Sequence, residues 1–319
     1  MSKTSMSLCP HATLLNLDNF EQGTPRDEIA SLRKNKRIVW QEDEYANGGH
    51  WLVLQRDDID KVLKKSADFT NNFGPLLEDF PEEVLAVQQG SMTFMDPPHH
   101  RGYRSLVDSA FRPKALKARA PLIKQMAKEV IDSVIDKGQC EFIEEVALQI
   151  PMRVVFGLLG VQTDDYQYLA SLVNTMTLAN DPDYAEDRNA GFAASMEAVA
   201  YGEKLAEDHR LNPRDSMTME MLDSEIDGRK LSNAEFAGFF LNLIVGGMET
   251  TRNTTAWLLY EFIQHPDQYA KLQSDLSLVP NAVEEILRYR NTVVYLRRTA
   301  TRDMEFAGET IKQGDKLVC

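Results

Sequence analysis

Cysteine is scarce in this sequence of 319 residues, which contains only Cys9, Cys140 and Cys319. The three lie far apart without zinc-ligand spacing, and the six histidines include no His-x-x-x-His pair. An odd, sparse set of cysteines is typical of reduced thiols in a cytosolic protein and argues against a disulfide scaffold. The sequence therefore gives no sign of a metal site built from protein ligands.

Long hydrophobic runs are also missing, since no stretch approaches the roughly 20 apolar residues that a membrane-spanning helix needs. The N-terminal segment "MSKTSMSLCPHATLLNLDNF" lacks the basic and then apolar pattern of a signal peptide. Repeats, low-complexity tracts and Gly/Ser linkers are absent as well. We therefore predict a soluble cytoplasmic protein that folds as a single domain over residues 1–319.

Basic residues are in the minority, and the net charge of −14 disfavours nucleic acid and anionic membrane surfaces as partners. Residues 101–124 have the opposite character, with seven Lys or Arg against a single acid, Asp108. Three interpretations are open: a solvated helix face, a docking patch for an acidic protein, or a site for the carboxylates of a bound cofactor. The seven basic residues are Arg101, Arg104, Arg112, Lys114, Lys117, Arg119 and Lys124.

Hydrophobic periodicity predicts a chain dominated by helices. The segments "RIVW" and "HWLVL" predict a β-hairpin, and helices follow at residues 56–66 and 113–138. Ser232 and Glu235 form the capping-box pattern of a helix that extends to Gln264, where "HP" stops it, a length of about 48 Å. A further helix precedes a tail with two or three strands. The predicted fold class is mainly α with a small β-sheet.

The middle of that long helix, "LNLIVGGMETTRNTTAW" at residues 241–257, contains residues that weaken a helix. Each interior glycine costs roughly 1 kcal/mol relative to alanine, and β-branched threonine is a weak helix former. Gly246 and Gly247 either open room for a flat or small group or serve only helix packing. The Thr250 hydroxyl can bond the Gly246 carbonyl and widen the helix, while Glu249 is either a proton-transfer group or an incidental surface residue.

Two arginine motifs lie near the end of the sequence. In "EEILR", Glu285 and Arg288 share a helix face, either as a surface pair of little energetic value or as a buried pair that locks the helix. In "RRTATRDMEFAG", Arg297 and Arg298 are neighbours in a predicted strand, so at most one of them points inward. Exposed charges on an edge strand are the alternative interpretation.

The segment "MDPPHHRGYR" has the pattern of a helix start. Asp96 can cap the helix, and Pro97 can take its first position. His100 and Arg104 then lie four residues apart on one face. Two cationic donors at that spacing suit a carboxylate or phosphate ligand, although an ordinary basic helix start has the same pattern.

The order and spacing of these motifs resemble one known family. "MDPPHHRGYR", "GGMETTRN", "EEILR" and "RRTATRDMEFAGETIKQGDKLV" follow one another as in the bacterial soluble cytochrome P-450 enzymes, which are heme-thiolate monooxygenases. The resemblance extends from the "HWLVLQRDDIDKVL" segment to the last residue. It implies the cytochrome P-450 fold, heme b with its iron as cofactor, and the insertion of one oxygen atom from O2 into an apolar molecule.

The resemblance also implies which residues bind the heme. His100 and Arg104 match the helix that binds the heme propionates, and Arg298 matches the strand arginine that does the same. Gly246 and Gly247 match the part of the distal helix where oxygen lies over the iron.

Further roles follow from the same resemblance. Glu249 and Thr250 match the acid–alcohol pair that delivers protons for O–O cleavage. Glu285 and Arg288 match the pair that braces the heme-binding core. The basic residues 101–124 match a face where an acidic ferredoxin docks, which implies a ferredoxin-type partner as the electron donor.

One departure from the family concerns the iron ligand. The family uses a cysteine in an aromatic-Gly-x-Gly-x-His-x-Cys-x-Gly loop, and none of the 319 residues form such a loop. Cys319 ends a predicted strand, Cys140 lies at an unremarkable position, and Cys9 lies in the N-terminal tail. We therefore expect a C-terminally truncated cytochrome P-450 that lacks its thiolate, exposes apolar surface and is inactive as a monooxygenase by itself.

Apolar segments expected over the distal pocket predict a greasy substrate such as a terpene, a steroid or a fatty acyl chain, unless they are ordinary core. The alternatives are a non-catalytic heme- or apolar-ligand-binding protein, a truncated product with a structural role or none, and peroxide-driven chemistry. The apolar residues are Phe73, Leu76, Leu77, Phe94, Leu172, Val173, Met176, Leu178, Val293, Val294 and Leu296.

Overall fold

The computed structural model describes residues 24–42, 48–108, 111–179, 181, 189–226 and 228–319. Its helices are α1 (Arg26–Asn35), α2 (Arg56–Lys64), α3 (Glu82–Gln88), α4 (His99–Asp108), α5 (Pro113–Ile135), α6 (Gln149–Leu159), α7 (Tyr166–Thr177), α8 (Asn189–Leu211), α9 (Met217–Asp223), α10 (Asn233–Gln264), α11 (Pro266–Ser274) and α12 (Val279–Tyr289). Its strands are β1 (Ile38–Gln41), β2 (His50–Val53), β3 (Phe69–Thr70), β4 (Glu225–Ile226), β5 (Arg229–Lys230), β6 (Arg297–Ala300), β7 (Met304–Phe306), β8 (Glu309–Ile311) and β9 (Lys316–Val318). The fold is mainly helical with small sheets, as the sequence predicts. Cys9 lies outside the described residues.

The first of two compact units joins the described residues up to Arg101 to Tyr295–Cys319. Its sheet has the strand order β1-β2-β9-β6-β3, in which β2 and β9 run parallel and the other pairs antiparallel. The predicted hairpin is confirmed, since Ile38 lies opposite Val53 and Trp40 opposite Trp51. The core of this unit comprises Ile38, Trp51, Val53, Val62, Phe69, Ala300, Ile311 and Leu317.

The tail of the sequence forms four strands, β6 to β9, so the prediction of two or three was wrong. The strands β7 and β8 have three residues each and pair as a small hairpin around Ala307 and Gly308. Both turn residues have positive φ, which matches the twist of a tight hairpin. Three residues are too few for an alternating pattern to be read reliably from sequence.

The second compact unit extends over the described part of Gly102–Val294 and is built around α10. The predicted capping box is confirmed, because the Ser232 hydroxyl accepts the Glu235 amide and the Glu235 carboxylate accepts the Ser232 amide. The helix has the expected 32 residues and ends where Pro266 begins α11. It packs chiefly against α8 and α6. The structure divides into two compact units, and the single domain expected from the sequence stays a prediction.

Two local predictions were wrong. The helix α10 is α-helical throughout, without the widening expected at Thr250; among the described residues the π-helical turn is at Ile143–Ala147. Asp96 does not cap α4, and Pro97 precedes the helix, which begins at His99. The Asp96 carboxylate instead accepts hydrogen bonds from Thr70 and from the Asn71 amide, so it holds the end of β3.

The expected exposure of apolar surface is confirmed in the second unit. On α10, Tyr260 and Ile263 are 47% and 66% exposed. On α12, Val283 and Leu287 are exposed as well. Large apolar side chains that are exposed together mark an interaction surface, and these two helices present such side chains without cover from the described residues. Within the described ranges, none of the helices combines the length and apolar character needed to cross a bilayer.

His209 on α8 is a fully buried titratable group. Its Nδ1 donates to the Leu205 carbonyl at 2.9 Å, because a carbonyl only accepts. Nε2 has no hydrogen-bond partner within the described ranges. The ring packs against Gly160, where a built Cβ would lie 2.7 Å from Nε2. Burial lowers the pKa of His209 below its ordinary value, since a charged imidazolium would be poorly solvated there.

We expect His209 to make the protein acid-sensitive. Below a pH of about 6.5 the unfolded imidazole binds a proton while the folded one stays neutral, so the free energy of unfolding falls as pH falls towards the lowered pKa. Above that window the contribution is constant. Urea unfolding at several pH values, compared with His209→Asn, measures this. The variant should lose part of the slope below neutral pH, and parallel curves for the two proteins would contradict the assignment.

Candidate functional site

The polar residues in the middle of α10 are Glu249 and Thr250. The Thr250 hydroxyl donates to the Gly246 carbonyl at 2.8 Å, as the spacing predicts. This bond leaves the α-helical backbone intact, because a carbonyl oxygen can accept two hydrogen bonds. Glu249 is only 14% exposed at its side chain, so it is not an incidental surface residue.

The two glycines of this stretch have different surroundings. A Cβ built on Gly246 would meet no atom of the described residues within 4 Å, so among these residues nothing covers the helix flank at this position. A Cβ built on Gly247 would lie 2.8 Å from Val155 Cγ2 on α6, so this glycine permits close helix packing. The expectation that both glycines open room for a ligand therefore has structural support at Gly246, whereas packing accounts for Gly247.

The Glu249 carboxylate takes part in a hydrogen-bond network that the sequence motifs do not indicate. Its Oε1 accepts from Arg252 Nη2 at 2.6 Å and from Asn253 Nδ2 at 2.9 Å. Its Oε2 is buried and has no hydrogen-bond partner in the part of the chain that the structure describes. Arg252 is itself 8% exposed and donates through Nη1 to Asn174 Oδ1 on α7 at 2.6 Å. The spacings of three and four residues from Glu249 could have identified Arg252 and Asn253, but Asn174 is distant in sequence.

Arg298, the strand arginine of the first unit, is partly buried in β6. Burial lowers its pKa, while the nearby Cys319 and Asp96 act in the opposite direction. Its hydrogen bond is to the backbone carbonyl of Arg297, and among the described residues no carboxylate forms an ion pair with it. A partly buried guanidinium normally has an anionic partner, so Arg298 has capacity to bind one.

Arg297, the neighbour of Arg298, is the more buried of the two, with 2% of its side chain exposed. It donates to Asp79 Oδ1 at 2.8 Å and to the carbonyls of Leu76 and Glu78. Lys316 on β9 also binds Asp79 at 2.8 Å. The sequence indicated that one of the two arginines points inward but not that the inward one holds residues 75–79.

His100 and Arg104 both lie on α4, as predicted. His100 is partly buried and belongs to the first unit, whereas Arg104 belongs to the second and has 63% of its side chain exposed. Arg104 lies 3.9 Å from Asp108, a distance at the limit of an ion pair. Such an exposed contact contributes little, so the Arg104 guanidinium is available to another anion.

Glu285 and Arg288 on α12 form a two-pronged ion pair, with nitrogen–oxygen distances of 2.7 and 2.6 Å. The two side chains are 60% and 68% exposed, so the buried alternative does not hold within the described residues. The pair lowers the pKa of Glu285, chiefly through the hydrogen bond from Arg288. The brace expected from the family resemblance stays a prediction.

The described cysteines do not resemble metal ligands. Cys140 is exposed, and Cys319 exchanges two backbone hydrogen bonds with Leu296, as a sheet residue does. Burial raises the pKa of the Cys319 thiol to about 12, so it is protonated at neutral pH. No cluster of three or more His, Cys, Asp or Glu with the geometry of a metal site occurs in the described part of the chain.

The basic residues around the start of α5 are mostly exposed. Arg119 lies 3.7 Å from Glu220. For Arg112, Lys114 and Lys117 the described residues provide no ion pair. The first turn of α5 contains no acid, so these cations oppose the positive end of the helix dipole and their placement does not stabilise the helix.

The apolar residues expected over a distal pocket divide into two groups. Phe94, Leu172 and Val173 are buried and belong to the packed core of their units. The others with notable exposure are Phe73 and Leu76 in the first unit and Val293 and Val294 in the second.

Comparison with known proteins identifies the family. The cytochrome P-450 family model matches residues 47–319. The steroid C26-monooxygenase of Mycolicibacterium smegmatis is 31% identical over 313 residues, which cover 95% of this chain and 71% of that protein. The methyl-branched lipid omega-hydroxylase of Mycobacterium tuberculosis is 34% identical over 298 residues, which cover 91% of this chain and 69% of that protein.

The fold leads to the same assignment. A solved structure of a Mycobacterium marinum cytochrome P-450 in complex with pseudoionone aligns with a TM-score of 0.85 at 30% identity. The alignment covers 92% of this chain and 74% of that one. For this chain the family match, the relatives and the fold agree. The chain belongs to the cytochrome P-450 family of heme-dependent monooxygenases.

Proposed function

We propose that this protein inserts one oxygen atom from O2 into an apolar small molecule such as a steroid, a terpene or a fatty acyl chain, with heme b as cofactor. The observation that carries the proposal is the stretch of α10 in which the open flank of Gly246 lies next to the Thr250 hydroxyl and the buried Glu249. Helix packing alone does not account for an open glycine and a buried acid close together on one helix. A proton-delivering helix needs both.

Heme fits the residues that are present. Arg298 is a partly buried cation without an ion-paired carboxylate among the described residues, so a heme propionate would complete its surroundings. His100 and Arg104 on α4 are proposed as further propionate ligands, and Gly246 as the point of close approach on α10. When bound through a thiolate, heme iron activates dioxygen and favours O–O cleavage.

Glu249 and Thr250 are proposed as the groups that move protons. The Thr250 hydroxyl hydrogen is engaged by the Gly246 carbonyl, and its oxygen lone pairs remain able to accept a proton or a water hydrogen. Glu249 retains one buried oxygen without a hydrogen-bond partner among the described residues, and this oxygen can bind and release a proton. Glu285 and Arg288 are proposed as the bracing pair through their two-pronged contact.

Replacing Arg298 with glutamine should weaken heme binding by the 319-residue chain. A hydrogen bond to a charged group contributes about 2 kcal/mol, which corresponds to an increase of roughly thirtyfold in the dissociation constant. Titration with heme, followed by absorbance, measures it. Arg302→Gln is the matched control, because Arg302 lies on the same unit in an exposed pair with Asp68. Equal heme dissociation constants for the two variants would show that Arg298 does not bind the heme.

The thiolate ligand is not assigned to a described residue, because Cys319 is a partly buried thiol with a raised pKa and Cys140 is exposed. We expect the reduced, CO-bound chain of 319 residues to lack a thiolate-type Soret band. A form that also carries the family's cysteine loop, called the loop-containing form below, should show that band. A thiolate-type band from the 319 residues alone would prove this wrong. Non-catalytic binding of heme or an apolar ligand is the second candidate, because neither described cysteine resembles an iron ligand.

The relatives narrow the proposed substrate class. One is a steroid C26-monooxygenase and another a methyl-branched lipid omega-hydroxylase. The exposed apolar side chains Phe73 and Leu76 are suited to contact such molecules. We therefore propose a steroid or a methyl-branched lipid as substrate. Competition binding of a steroid and of a methyl-branched lipid to the heme-loaded protein tests this substrate class. If neither compound binds, the proposed substrate class is wrong.

An acidic ferredoxin-type protein is proposed as the electron donor. Its docking face would include the exposed cations Arg112, Lys114 and Lys117, which have no ion pair among the described residues. Steering between opposite charges predicts an association rate that falls steeply with salt. Reversing Lys114 and Lys117 to glutamate should lower the rate of electron transfer, whereas an unchanged rate and salt dependence would exclude this face.

A further inference from the structure

Arg252 and Asn174 lie where they can control which carboxylate oxygen of Glu249 binds and releases the proton. We propose that both are positioning residues. Asn174 holds Arg252, and Arg252 occupies Oε1 of Glu249, which reserves Oε2 as the atom that binds and releases the proton. The inference rests on the proposed function of Glu249 and extends it to two residues and one atom. The Arg252–Glu249–Asn253 group is called the carboxylate ring below.

The carboxylate ring is closed by three hydrogen bonds. Arg252 Nη2 and Asn253 Nδ2 both donate to Glu249 Oε1, at 2.6 and 2.9 Å. Arg252 Nε donates to Asn253 Oδ1 at 3.3 Å. A guanidinium has only donors, so the Asn253 oxygen must face Arg252 and its amide nitrogen must face Glu249. The ring therefore fixes both the rotation of the carboxylate and the orientation of the amide.

The ring leaves the two carboxylate oxygens unequal. Oε1 accepts two hydrogen bonds, one of them from a cation, whereas Oε2 is buried and accepts none from the described residues. A buried carboxylate oxygen without a donor is costly, and a native structure keeps such a group where a bound water or a proton supplies what is missing. An incoming proton therefore forms its O–H bond at Oε2, and that same bond breaks when the proton is passed on.

Asn174 extends the ring to α7. Its Oδ1 accepts from Arg252 Nη1 at 2.6 Å, so the guanidinium nitrogen that does not bind Glu249 is held by another helix. The amide is neutral, so it orients the arginine without competing for its charge. A carboxylate at this position would compete, since charge-assisted hydrogen bonds are roughly twice as strong as neutral ones. Asn174→Asp thus keeps the shape of the side chain and redirects Arg252 away from Glu249.

The first test requires no heme. Side-chain resonances of nitrogen-15 labelled arginine in the 319-residue chain should include one guanidinium with hindered rotation, which Arg252→Gln removes. Asn174→Ala and Asn174→Asp should each free or shift that guanidinium, while Lys128→Gln, an exposed cation on α5, should leave it unchanged. A mobile Arg252 guanidinium in the wild-type chain would overturn the inference.

The second test uses the loop-containing form and measures the solvent isotope effect on turnover and the fraction of electrons lost as peroxide. Asn174→Asp and Arg252→Gln should each lower product formation on the order of tenfold, with a larger solvent isotope effect and unchanged substrate affinity. Asn174→Ala leaves the Arg252–Glu249 pair in place, so it should have a smaller effect in the same direction. If Arg252→Gln does not fold, Asn174→Ala replaces it in this test.

The outcomes separate this inference from the proposed function. If Glu249→Gln impairs proton delivery while the Arg252 and Asn174 variants behave as wild type, Glu249 keeps its role and the positioning inference is wrong. If Glu249→Gln itself leaves turnover and the isotope effect unchanged, the proposed function of Glu249 fails, and the positioning inference falls with it.

Discussion

Arg297→Met is expected to lower the free energy of unfolding by about 3 kcal/mol, the lower end of the usual loss when one partner of a buried ion pair is removed. Arg297 is almost fully buried, and burial lowers its pKa despite the opposing effect of Asp79. It donates to Asp79 and to the carbonyls of Leu76 and Glu78, and methionine replaces none of these bonds. Urea unfolding at neutral pH measures the loss.

The matched control for this variant is Arg302→Met. Arg302 belongs to the same unit and donates to Asp68 at 2.9 Å, but 64% of its side chain is exposed. Exposed ion pairs contribute about 0–1 kcal/mol, so the control should unfold almost like wild type. Equal losses for the two variants would show that the burial of Arg297 carries no special energetic weight and that residues 75–79 are held by other contacts.

Local signals explain which parts of the fold were predictable. The β1–β2 hairpin follows from two β-rich segments, and the start of α10 follows from Ser232 and Glu235, three residues apart. The length of α10 follows from its capping box and from Pro266. The hairpin of β7 and β8 was missed, because strands of three residues carry too little pattern.

The site was predictable only in part, for a related reason. Glu249, Thr250 and Gly246 lie within one helical turn, so spacing along the sequence is enough to associate them. Asn174 is 78 residues from Arg252, so no local sequence pattern predicts their hydrogen bond. The same limit applies to Asp79, which joins Arg297 and Lys316 only because the sheet brings β6 and β9 together.

Gly246 shows how folding and function diverge within α10. Its flank is open, so an alanine there would meet no neighbouring atom and would gain about 1 kcal/mol of helix propensity. Folding alone therefore does not explain this glycine, whereas the contact with Val155 explains Gly247. Residues that break a local rule without a packing reason are expected at functional or strained sites, so Gly246 is a candidate for such a position.

Glu249→Gln is expected to lower the rate of product formation about a hundredfold in the loop-containing form, the lower end of the contribution usual for a proton-transfer group. Glutamine can still offer one oxygen to Arg252 and Asn253, so the fold should be kept while the proton carrier is lost. Product formed per electron supplied, together with the solvent isotope effect, measures the change. Wild-type yield in this variant would contradict the role.

Thr250→Val tests the alcohol of the pair and has a control on the same helix. Thr250 and Thr255 each donate to the carbonyl four residues earlier, at the same 2.8 Å, so both valine variants lose an equivalent hydrogen bond. Their effects on unfolding should therefore match. Their effects on turnover should not, because only Thr250 adjoins Glu249 and accepts protons in the proposed function. A loss of product in both variants would mean that the bond to the backbone, and not proton delivery, is what Thr250 contributes, whereas a loss confined to Thr250→Val assigns the hydroxyl to the chemistry.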